Sequence, residues 1–271
     1  MIMSLRKMLL IVLCIFMAKG EISAQQPSFA ASELFEMAPP NIAVSAPLFK
    51  DTTVVTLGMK FPNSEIRYTL DGTIVTSKAK LYSEPITLTE SAQLKAKVFH
   101  PNFKNSTVRK AAVIKIRHDI SGASVSLYQE PHSAYLGAGS SGLVDLQKGG
   151  LAFKDNSQWM GFKTDSLTIR LDFERPLELS SLRVGCLINQ GAWIFAPYRI
   201  TVFSGKTKIG DFRNKKAGIG QDNREEFLKV SFPKSSYTKL IIVIHPLVEI
   251  PEWHQGASSK PWLFLDEILV N

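Results

Sequence analysis

The sequence predicts an all-β chain, built as a small β-sandwich followed by a larger jelly roll. Three observations carry this. From Thr52 onward, short segments rich in β-branched residues alternate apolar and polar positions. Turn-forming stretches such as Asp71-Gly72, Gly137-Ala-Gly139-Ser-Ser-Gly142, Gly149-Gly150 and Lys216-Ala-Gly218-Ile-Gly220 punctuate them. No long amphipathic helix repeat occurs between them.

The chain opens on Arg6-Lys7, an 11-residue apolar run from Met8 to Ala18, and Ile22-Ser23-Ala24. That run is short of the roughly 20 residues a membrane-spanning helix needs, and its flanks are those of a secretory signal peptide over residues 1–24 with cleavage before Gln25. Cys14 follows Leu13, where a lipoprotein signal would carry a small residue, so a secreted or periplasmic product with no membrane span is expected. Cleavage removes Arg6, Lys7, Lys19 and Glu21, leaving 29 basic against 23 acidic residues, a net +6 in place of +8. The densest basic run left is Arg213-Asn-Lys215-Lys216, which reads as a solvated hairpin tip, and no nucleic-acid partner is expected. Cys186 is the one mature cysteine, so no intramolecular disulfide can form and the cores must supply the stability.

Residues 25–45, broken by Pro27, Pro39 and Pro40, suit an extended leader better than a helix. Residues 46–117 contain the strand patterns Thr52–Leu57, Glu65–Leu70, Gln93–Phe99 and Ser106–Ile116, enough for a small β-sandwich. Residues 118–271 contain Leu167–Phe173, Leu182–Ile188, Tyr198–Phe203, Phe227–Phe232, Leu240–Ile244 and Leu263–Val270, which read as a jelly roll.

Ile66-Arg-Tyr-Thr-Leu-Asp-Gly-Thr-Ile-Val-Thr76, with Leu81-Tyr-Ser-Glu-Pro-Ile86 and Lys95-Ala-Lys-Val98, resembles the chitobiase/β-hexosaminidase C-terminal module, also called fibronectin type III associated. The resemblance covers residues 46–117 and implies a fibronectin-type-III-like sandwich; Val75 stands where the family usually has proline. The second half is similar to the discoidin or coagulation-factor type C jelly roll that follows this module in bacterial secreted β-hexosaminidases. The matching stretches are Gly142-Leu-Val-Asp145, Phe153 through Phe162, Gln190-Gly-Ala-Trp193-Ile-Phe195-Ala-Pro197, and Trp253-His254 through Trp262-Leu-Phe-Leu-Asp-Glu-Ile268. Departures are Leu146, where the family favours glycine, and Phe173-Glu174 at a strand end.

No catalytic site is expected. A glycosidase barrel needs roughly 250 residues of alternating strand and helix, and nothing in this sequence could form one. Asp266-Glu267 imitates the adjacent acid pair of hexosaminidases. Inside a strand pattern, however, successive side chains point to opposite faces and cannot converge on one bond. There is no nucleophile elbow, zinc-protease helix motif or phosphate-cradling loop, and the histidines are scattered. Cys186 reads as an inert core thiol.

Glycan binding has better grounds, because sugar C–H faces pack on aromatic rings while hydroxyls need polar partners. Trp193, Phe195, Trp253 and His254 lie in loop-like segments and are the candidate carbohydrate-binding residues; Trp159 and Trp262 sit beside strand patterns and read as core. The resemblance also implies a structural calcium, with Asp145 and Glu267 at the matching positions and no cofactor otherwise required. Two readings follow. One is a non-catalytic exported lectin for N-acetylhexosamine- or galactose-type glycans. The other is a structural module docking on a neighbouring glycoside hydrolase or surface protein without touching sugar.

Overall fold

A computed structural model of the chain describes residues 34–154, 158–221 and 223–271. The expected signal peptide, residues 1–24, lies outside the described residues, as does the leader up to Glu33. The described residues are all-β, as the alternation predicts.

The first sandwich has two sheets. One joins β1 (Asn41–Val44), β3 (Thr53–Gly58) and β6 (Ile86–Leu88); the other joins β2 (Leu48–Phe49), β8 (Arg109–Lys115), β7 (Ala92–Phe99), β4 (Glu65–Thr69) and β5 (Lys80–Leu81), in that order. Alternation decides which side chains go inside: Thr53, Val55 and Leu57 of β3 are buried and their neighbours exposed. Ile66 and Tyr68 sit opposite Val98 and Ala96 across the β4–β7 ladder, so these apolar faces are one surface of one sheet. They pack with Val55, Leu57, Leu94 and Val113 in a common core. The leader contributes as well. Met37 is buried in this core, its N–H donates to the Lys104 carbonyl at 2.9 Å, and β1 pairs with β3.

The second region is a seven-stranded sheet in the order β10 (Met160–Phe162), β15 (Leu263–Val270), β11 (Leu167–Ile188), β14 (Arg224–His245), β12 (Arg199–Ser204) and β13 (Thr207–Arg213), with β9 (Ser124–Leu127) also paired to β11. The sequence suggests two strands in each of the stretches 167–188 and 227–244, yet β11 and β14 each run unbroken for 22 residues. Pro176 and Pro233 account for the broken pattern. They fall at register shifts, between Asp172/Leu177 and Leu179/Ser181, where a residue without an N–H leaves no ladder bond unmade. Such bulges bend a strand. Residues from both halves of β11, Leu167, Ile169 and Leu171 together with Leu182, Val184 and Cys186, accordingly belong to one core with Leu240, Ile242 and Ile244 of β14. Phe153, Trp159, Leu187, Ile194 and Phe264 form a smaller cluster, with Tyr135 and Trp262 against it. Among the described residues no helix is long and apolar enough to cross a membrane.

Candidate functional site

Two places bring the sequence-selected residues together. The first is a loop end built from residues 189–197, 214–221 and 247–262. A 3₁₀ turn over Gln190–Ala192 closes on Trp193, which adopts a left-handed backbone at φ 64°. The Asn189 side chain accepts from the Ala192 N–H at 3.2 Å and so holds that turn. The Trp193 carbonyl takes the Trp262 N–H at 2.8 Å, and the Phe195 N–H donates to the Trp262 carbonyl at 3.0 Å, so the turn is laced to the entry of β15. Trp193 is half-buried because Gly256 lies against its ring; a Cβ there would come within 2.9 Å of the indole.

Trp253 is 54% exposed, whereas Phe195 is 1% exposed and His254 is 9% exposed. The three rings touch: Trp253 lies 5.4 Å from His254 and 6.5 Å from Phe195. Trp253 is held in place by its Nε1–H, which donates to the Gly218 carbonyl at 2.9 Å. His254 Nδ1 accepts the Gly256 N–H at 3.0 Å, which leaves Nε2 protonated to donate to the Gln190 carbonyl at 2.9 Å. Both imidazole nitrogens are thus engaged, and Phe195 has no open face. These two candidates lie beneath the surface and position the loops; Trp253, with part of Trp193, is what solvent reaches.

Gln190 is the residue sequence reasoning missed. It is buried, its amide Nε2 donates to the Ile219 carbonyl at 2.8 Å, and its Oε1 accepts the Gln221 N–H at 2.9 Å. One side chain therefore ties the 214–221 loop to the turn that carries Trp193. The only signal for it was its position at the head of the Gln190-Gly-Ala-Trp193 stretch.

The second place is the carboxylate pair of β15. Val184 and Cys186 of β11 face Ile268 and Leu265, so two steps on one strand oppose three on the other. That β-bulge falls on Asp266-Glu267, where simple alternation fails. Both carboxylates are completely buried. Asp266 pairs with Lys148 and accepts the Gly149 N–H at 3.0 Å. The Lys148 ammonium also lies 4.9 Å from the Trp159 and Phe227 ring centroids. Burial pushes the Asp266 carboxyl up, and Lys148 opposes that shift. Gly185 makes room for it, since a Cβ at that position would stand 2.2 Å from Asp266 Oδ1.

Glu267 accepts backbone N–H groups from Leu146 and Ile268, and its Oε2 has no partner among the described residues. Burial, and next the negative charge of Asp145, push its carboxyl up to about 9. Leu146 sits at φ 65°, the left-handed backbone that glycine adopts without strain. An orphaned buried carboxylate oxygen beside a second carboxylate fits a hard cation, with backbone carbonyls to complete the shell. Asp145 and Glu267 would be its acidic ligands; among the described residues no group of three or more His, Cys, Asp or Glu could hold a metal. Such an ion would offset both charges and pin the 145–149 loop to β15. Elsewhere, Cys186 is a free buried thiol whose pKa burial raises. A cavity of about 630 Å³, open to solvent, lies in the first sandwich near Tyr68, Thr87 and Ser91, away from both places.

Residues 45–110 match the chitobiase/beta-hexosaminidase C-terminal domain family. No curated protein matches the chain. Solved structures similar to it include the C-terminal domain of a chitobiase from Bacteroides fragilis, at 15% identity over 57% of this chain and 95% of that one, TM-score 0.35. A CBM32 module of a family 31 glycoside hydrolase from Clostridium perfringens has 12% identity over 56% of this chain and 92% of that one, TM-score 0.37. A CBM32 module of a Clostridium perfringens GH89 protein, in complex with GalNAc-β-1,3-galactose, has 14% identity over 56% and 97%, TM-score 0.35.

Proposed function

We propose that the protein is a non-catalytic, exported glycan-binding protein whose second β-region holds sugar of the N-acetylhexosamine or galactose type at the Trp253 loop end. The observation that carries this reading is the exposed Trp253 ring, braced by the Gly218 carbonyl and by buried Phe195 and His254. A platform held in position before binding loses little side-chain freedom when a sugar ring packs on it. Phe195 and His254 act from beneath, and Trp193 lines the side of the same loop end. The match of residues 45–110 to a module named for chitobiases and β-hexosaminidases supports a partner in glycan metabolism. Burial of Asp266 and Glu267 supports a structural task for that pair, with calcium at Asp145 and Glu267 as its cofactor. Residues 46–117 and 118–271 act as two units, the first serving as spacer.

A second reading, docking on a neighbouring glycoside hydrolase or surface protein, is favoured by Ile219 and Val248, which are 56% and 78% exposed in the same loops. A glycan array separates the two. Saturable signal on N-acetylhexosamine- or galactose-terminated glycans supports sugar binding, and a blank array with an intact fold leaves the docking reading.

A further inference from the structure

The outer face of the five-stranded sheet in the first sandwich gathers cations that the sequence keeps apart. Along β7, Leu94, Ala96 and Val98 are buried, which turns Lys95, Lys97 and Phe99 outward. Register places Lys95 directly opposite Lys110 of β8 and Lys97 directly opposite Arg67 of β4. Facing side chains in such a ladder stand about 5 Å apart at Cβ, and like charges in that position destabilise a sheet.

The acids at hand do not neutralise the face. Glu65 is committed to Arg67, accepting from Nε at 3.1 Å and Nη2 at 2.7 Å. Asp71, within electrostatic reach of Lys95, has its Oδ1 taken by the Thr73 N–H at 3.0 Å and hydroxyl at 2.6 Å. Lys95, Lys97 and Lys110 form no salt bridge with any described residue; Lys115 and Lys104, by contrast, pair with Glu90 and Glu36. Lys97 lies 5.8 Å from the Phe99 ring centroid.

We propose that this face is a binding surface for a linear acidic polysaccharide bearing uronate or sulfate groups, held by Lys95, Lys97 and Lys110. Charge complementarity selects a polyanion: three cations occupy neighbouring ladder positions and form no salt bridge with a described residue. The rest of the surface selects among polyanions. Single-stranded nucleic acid needs open aromatic faces on which bases stack, and here Lys97 covers the ring of Phe99. A protein partner centres on a buried apolar anchor in a pocket, whereas the ladder positions beside these lysines are polar or small, Thr69 opposite Lys95, Arg67 opposite Lys97 and Ala112 opposite Gln93. The proposal is independent of the Trp253 loop end.

Binding of the mature chain to polygalacturonate and dextran sulfate tests it, with neutral dextran, duplex DNA and phosphatidylserine vesicles alongside. Wild type should bind both acidic polysaccharides, and added salt should weaken the binding. The triple variant Lys95→Gln/Lys97→Gln/Lys110→Gln should bind at least about tenfold more weakly, because each lost cation removes a counterion-releasing contact. It should melt no lower than wild type, since a like-charge pair has been relieved. Lys110→Glu alone should weaken binding in the same direction and provides a check if the triple variant misfolds. Arg213→Gln/Lys215→Gln/Lys216→Gln should bind these polymers as wild type does. Absence of binding at low salt would overturn the proposal. So would equal binding by wild type and the Lys95/Lys97/Lys110 variant, or tighter binding to DNA or vesicles.

Discussion

Trp253 and Phe195 show how two aromatics of the same loop end can hold opposite roles. Trp253 exposes 54% of its surface and Phe195 exposes 1%, although both lie in segments with no strand period. Replacing Phe195 with Ala should therefore cost about 3–5 kcal/mol of stability, because a large buried ring leaves a cavity the backbone cannot close. Trp253→Ala should leave the melting temperature close to wild type. Thermal melts of both variants check this, and a large loss for Trp253 with none for Phe195 would reverse the roles. That the four candidates lie outside strand patterns was legible in the sequence; that they meet at one loop end was not, since segments about 60 residues apart carry no signal of their contact. Which of them face solvent was not, since without a period nothing in the sequence distinguishes the buried side of a loop from the open one. Gln190 escaped for a related reason: a polar side chain that staples loops has the composition of any surface residue.

At the scale of elements, β15 joins packing to electrostatics. Glu267 holds its proton in the folded protein up to about pH 9, whereas an ordinary glutamate releases it near 4.5. The folded state therefore binds more protons than the unfolded chain across that window. Without added metal, stability should be full at the acid end and fall as pH rises from about 4.5 to about 9. Calcium should reverse the fall by displacing the proton, and Glu267→Gln, which mimics the protonated acid, should flatten the profile and lose the calcium response. Melting temperatures with calcium and with a chelator, taken across this range, test both statements. A profile that rises with pH in the chelated protein would contradict the burial argument. Gly185→Ala should cost about 1–3 kcal/mol in the same melts, because its new methyl would press on Asp266 with no free volume to yield. The strands themselves were legible as alternation. Their lengths were not, because Pro176 and Pro233 interrupt the pattern where the structure bends. The bulge at Asp266-Glu267 was likewise invisible, since it depends on which residue of β11 lies opposite.

At the scale of the molecule, the two largest buried clusters share no residue: one runs from Met37 to Val113 and the other from Ile120 to Val270. Lys50 pairs with Asp119 at 2.5 Å across the junction, with half-exposed side chains, and exposed pairs of this kind contribute at most about 1 kcal/mol. Residues 118–271 expressed alone should consequently melt cooperatively, and a segment that stays unfolded without residues 46–117 would mean that the junction carries stability. The two-part β architecture was legible because each part repeats its own strand pattern. The cation lattice on the first sandwich was not, since Arg67, Lys95 and Lys110 meet only through register and a search for basic runs finds Arg213 to Lys216 instead. Sugar binding at the Trp253 loop end is tested most directly by calorimetric titration of the protein and its Trp253→Ala variant with N-acetylhexosamine- and galactose-containing oligosaccharides. The wild type should give a saturable signal with a Kd of about 0.1–1 mM, roughly 4–5.5 kcal/mol, and the folded variant should lose most of it. No saturable signal from folded wild type, or undiminished binding by the variant, would contradict it.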